Sequence, residues 1–86
     1  MNYRASFVSG VHLAAARTMA GLKQTELAQL AGLHVNAIKR LEGMDHITGS
    51  AFATDRIGNA LLSRGVLSER WPTPYVRLVE RVLQSV

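Results

Sequence analysis

A chain of 86 residues is expected to form one domain that buries only a modest share of its surface, so its stability alone should be marginal and dimerisation would help. It has no cysteine, which excludes disulfides and thiolate metal sites, and no run nears the roughly 20 apolar residues of a membrane span; with no basic stretch leading into an apolar signal core, a cytoplasmic location is expected. The net charge of +4 is concentrated: Arg4, Arg17, Lys23, Lys39 and Arg40 face only Glu26 within residues 1–41, while the other five basic residues are matched by five acidic ones.

Met1 to Phe7 has no clear period, and residues 1–8 read as an N-terminal arm. Ser9 can cap a first helix by accepting a backbone N–H, and Val11, Ala14, Ala15, Thr18 and Met19 follow at helical spacing until Gly21 stops it. Leu22 begins the next packed segment. Lys23 stands at the cap of a second helix, where an ammonium cannot accept the orphan N–H bonds, so the cap is weakened while a cation is added.

Gln24 to Gly43 reads QTELAQLAGLHVNAIKRLEG, two short helices joined by a tight turn. Leu27, Ala28 and Ala31 form a stripe against a core, and Gly32 ends the helix where glycine alone enters the left-handed region without penalty. His34 occupies a capping position. From Val35 to Glu42, Ile38 and Leu41 point inward and leave Val35, Asn36, Lys39 and Arg40 on the outer face.

Arg17 within LAAARTMAGL, the GLKQTELA start of the second helix, the turn Ala31, Gly32, Leu33 and the AIKRLEG close together resemble the Xre/Cro family of repressor-like DNA-binding domains, over roughly Val11 to Val66. The resemblance implies an all-α fold: a compact four-helix lambda-repressor-like helix-turn-helix domain, with a third helix that reads DNA. Where relatives have Ser or Thr, this chain has Lys23 and His34. Small Ala28 beneath Gly32 would let the two helices meet steeply.

Gly43 to Gly49 is a loop by its Asp45, His46 and Thr48. A fourth helix is expected from Ser50 to about Arg64, with Phe52, Ala53, Ile57, Ala60 and Leu61 as its buried stripe and Gly65 as its stop. The helix-turn-helix domain therefore spans 9–67. Residues 68–86 hold a connector with the only tryptophan, Trp71, and a fifth helix started by Thr73 and Pro74. Tyr75, Leu78, Val79, Val82, Leu83 and Val86 give that helix an apolar stripe that must be buried, either on its own domain or against the same helix of a second chain. The second option is a use that C-terminal additions to the family often have, and it makes Trp71 and the stripe the expected homodimer interface.

The outer face of the third helix supplies the base-contacting candidates Val35, Asn36, Lys39 and Arg40. Arg40 can bond both acceptors of guanine, Asn36 both edge groups of adenine, and Val35 can rest on a thymine methyl, while Lys39 is better suited to phosphate. Gln24, Lys23 and His34 are phosphate candidates, Gln24 because the matching glutamine grips phosphate in related repressors. Arg17 and Glu42 match positions where the family places a structural pair. The reading is thus a sequence-specific DNA-binding regulator, a repressor, binding double-stranded DNA as a homodimer on an inverted repeat; such small relatives often serve mobile elements. An antitoxin holding a toxin, or an antiactivator holding another regulator, are the rival uses of the fold. His12, His34 and His46 lack ligand spacing, and no phosphate loop or nucleophile elbow occurs, so neither an enzyme, a metal nor a cofactor is expected.

Overall fold

In the computed structural model, which describes residues 7, 9–47, 51–69 and 75–78, the element order is α1 (Gly10–Met19), α2 (Gln24–Ala31), α3 (Val35–Glu42), α4 (Ala51–Leu62), β1 (Val66–Glu69) and β2 (Tyr75–Leu78). The fold is mostly helical, as expected, with one antiparallel hairpin added. α2 packs on α3 and α4, α1 on α3 and both strands, and β1 also on α4.

Local chemistry starts each helix. The Ser9 hydroxyl accepts the His12 N–H at 3.2 Å, which caps α1 as anticipated. Lys23 makes no side-chain cap; instead the Glu26 carboxylate reaches back to accept the Lys23 N–H at 2.8 Å, the half of a capping box that an ammonium permits. At the end of α2, Gly32 adopts φ 73°, its N–H donates to Gln29 O at 3.2 Å, and Leu33 N–H donates to Ala28 O at 2.8 Å. This pairing closes the helix and turns the chain toward α3.

Leu13, Leu27, Ile38, Ile57, Leu61 and Val66 are the largest fully buried side chains, one or more from every helix and one from the hairpin. The spacing that marks α1 lies on its outer side: Val11 is 77% exposed, and the inner face is Gly10, His12, Leu13 and Ala16. Phe7, assigned above to the arm, is buried against the core and meets His12 edge to face with ring centroids 5.6 Å apart. Phe52, expected inside, is 63% exposed, while Ile57, Ala60 and Leu61 are buried as anticipated.

Tyr75 to Leu78 does not begin a fifth helix. It is a strand, with Val66 opposite Leu78 and Ser68 opposite Val76. Aromatic and β-branched residues favour an extended, half-buried ribbon. Pairing with β1 satisfies the backbone while Val76 packs on the core beside buried Val66. β1 also takes Ser68 and Glu69, read above as connector. Of the residues expected at a dimer interface, Tyr75 and Leu78 therefore lie on β2. Trp71, Val79, Val82, Leu83 and Val86, with the start signal Thr73 and Pro74, fall outside the described residues.

Candidate nucleic-acid interface

The candidate surface is built from the start of α2 and the outer side of α3. Ile38 and Leu41 anchor α3 in the core, with 0% and 3% of their surface exposed, and the helical repeat then sends Asn36, Lys39 and Arg40 into solvent. All three are exposed. Val35 departs from expectation: placed a turn before Ile38 and beside the α2 turn, it packs partly against the core and offers only its remaining side.

His34 is the cap of α3. Its Nδ1 accepts the Asn36 N–H at 3.0 Å, so an imidazole does here what a Ser or Thr hydroxyl would do. An accepting Nδ1 puts the proton of the neutral ring on Nε2, which gives this exposed residue a donor beside the first turn of α3. Lys23 is exposed at the start of α2 with Gln24 half-buried next to it.

Gln24 does more than line the surface. Its Nε2 donates to Glu42 Oε1 at 3.0 Å, joining the first residue of α2 to the last of α3. The same carboxylate receives Arg17 through Nε at 2.6 Å and Nη2 at 3.2 Å, a two-pronged pair, and Arg17 Nη1 donates to Leu22 O at 2.9 Å. With the side chains of Arg17 and Glu42 only 19% and 9% exposed, three elements are fixed to one largely desolvated charge pair. Loss of either partner would strand the other, at a typical cost of about 3–5 kcal/mol.

Sequence reasoning missed three contributors. Gly10 donates its N–H to Met44 O at 2.8 Å, and a Cβ on it would overlap the Glu42 carbonyl, so α1 touches the end of α3 backbone to backbone. Arg56 donates from Nε to Ala31 O at 2.8 Å, and its guanidinium lies 5.2 Å from the centre of the Phe52 ring. Only the i, i+4 spacing of Phe52 and Arg56 hints at the last two; nothing local marks Gly10.

Among the described residues no group of three or more His, Cys, Asp or Glu could hold a metal ion, and no helix is long and apolar enough to cross a membrane. Comparison of the chain with protein-family models, with curated proteins and with solved structures finds no match.

Proposed function

We propose that this chain is a sequence-specific DNA-binding regulator of transcription, a repressor of the lambda-repressor-like helix-turn-helix kind, acting as a homodimer on an inverted-repeat operator. The observation that carries the reading is the outer side of α3: Asn36, Lys39 and Arg40 are exposed on a helix whose inner side and last residue are held by the core and the Arg17–Glu42 pair. A rigid helix with a free amide, ammonium and guanidinium on one side suits a major groove, where Arg40 would take guanine, Asn36 adenine and Lys39 a phosphate. Val35 would touch a thymine methyl with the side the core leaves uncovered. Lys23, Gln24 and His34 would grip the backbone and set the register. With Arg17 neutralised by Glu42, the exposed cations Lys23, Lys39 and Arg40 would speed encounter with a polyanion.

Two copies related by a two-fold axis would place their α3 helices in successive major grooves about 34 Å apart. Selection of bound DNA from a random pool at near-physiological salt tests this directly. The expected product is an inverted repeat with half-sites one helical turn apart. Recovery of unrelated sequences with no shared pattern would sink the reading.

A further inference from the structure

We infer that Arg56 is a positioning residue for DNA reading: reaching from α4, its guanidinium clamps the turn between α2 and α3 and so sets where the recognition helix begins. The inference rests on the function proposed above and adds a residue to it.

Three features converge on this side chain. Ala31 is the last residue of α2, and its carbonyl lies at the negative end of that helix, where a charged donor is the strongest available partner; Arg56 Nε supplies it at 2.8 Å. Gly32 follows with φ 73°, and a Cβ on it would overlap Arg56 Nη2, so the guanidinium occupies the volume that the absent side chain leaves. Phe52, one turn earlier on α4, lies 5.2 Å from the guanidinium carbon and supports its plane, which also explains why a large aromatic ring stays 63% exposed rather than joining the core.

The consequence reaches α3 because so little chain intervenes. Between Gly32 and Val35 stand only Leu33, which packs partly on the core, and His34, which caps the helix. A turn pinned at Ala31 and Gly32 therefore fixes the origin of the face that carries Asn36 and Arg40. Gly32 is favoured by its backbone angle, and it also leaves the space in which the Arg56 guanidinium lies.

An exposed arginine beside a DNA-binding element is equally a candidate for direct phosphate contact, and the two roles separate by salt dependence. With the full chain and a selected operator, Arg56→Ala is expected to lower affinity per folded molecule about tenfold, the weight of one charge-assisted bond, while the slope of log K against log salt stays unchanged. A slope smaller by about 0.9 per chain would make Arg56 a phosphate ligand and overturn the inference, as would unchanged affinity. Arg56→Lys keeps the charge but lacks the planar fork, so it should stay nearer to the alanine variant; full recovery by lysine would show that charge alone suffices.

A folding measurement tests the clamp without DNA. Asparagine tolerates the left-handed region, so Gly32→Asn probes chiefly the space. The guanidinium is the end of an exposed, flexible side chain and can yield, so the measurable result is coupling: the loss of folding stability should be greater in the parent chain than beside Arg56→Ala, by about the worth of the displaced Arg56–Ala31 bond, whereas additive losses would show that the guanidinium does not fill that volume. Should this coupling hold while the parent chain binds no DNA of any sequence, the DNA reading and the positioning role fail together and the clamp remains as architecture.

Discussion

Glu42 is where the candidate surface and the core meet in one side chain. Its Oε1 takes bonds from both Gln24 and Arg17, so an amide at the rim and a half-buried guanidinium compete for, and are aligned by, the same oxygen. Arg40, two residues earlier, is exposed and joins no such network among the described residues. The two residues should therefore fail differently. Arg40→Ala is expected to abolish discrimination at one base pair, about 1–3 kcal/mol, and to leave the rest of the operator preference intact. Gln24→Ala, which would remove the proposed backbone grip and the bond from Gln24 to Glu42, should weaken all sequences about equally. Gel shifts on an operator library decide it, and a uniform loss from Arg40→Ala would argue against base reading by that residue.

At the scale of elements, close approach and conformational freedom separate the glycines. Gly10 abuts the Glu42 and Leu41 carbonyls, backbone that cannot swing aside, so Gly10→Ala should destabilise the fold by about 1–3 kcal/mol as α1 is forced off α3. Gly43 ends α3 at φ −87°, and among the described residues a Cβ there would meet nothing nearer than the Lys39 carbonyl at 3.5 Å; Gly43→Ala should stabilise by about 0.4–1 kcal/mol through the unfolded chain. Denaturant unfolding of both variants checks the contrast, and equal losses would mean that α1 and α3 do not touch as described. The legible elements were those with their own punctuation. Ser9, Gly32 and the inward pair Ile38 and Leu41 mark α1, α2 and α3 by chemistry that neighbours in sequence supply. The inner side of α1 was not legible, because apolar residues run nearly all round it and no phase stands out. Phe52 misled because its partner, Arg56, is drawn away by a carbonyl of another helix. β2 was hidden for a related reason: four residues of Tyr, Val, Arg and Leu fit either period, and only the partner strand Val66–Glu69 decides between them. On the candidate surface, the exposure of Asn36, Lys39 and Arg40 followed from the helical repeat, whereas the part-burial of Val35 depends on how α3 docks.

Over the whole molecule, charge and symmetry make one joint demand. The core is small, and the cations proposed to meet phosphate, Lys23 just before α2 and Lys39 on α3, are both exposed. One copy would neutralise few phosphates, and affinity would then be modest at physiological salt. A two-fold pair doubles each contact, and this doubling is measurable without knowing how the copies touch. Each phosphate neutralised on duplex DNA contributes about 0.9 to the slope of log K against log salt. Lys39→Ala removes one cation from a monomer but two from a dimer, so the slope should fall by about 1.8 if two chains occupy the operator and by about 0.9 if one does. Lys23→Ala should behave alike, and the pair together should remove about 3.6, a difference of about 150-fold in the affinity lost between 50 and 200 mM salt. Titrations on the selected operator, with the stoichiometry measured on the same complex, give the answer. A fall near 0.9 for each lysine with one chain per duplex would exclude the symmetric dimer, and with it the expectation that the operator is an inverted repeat.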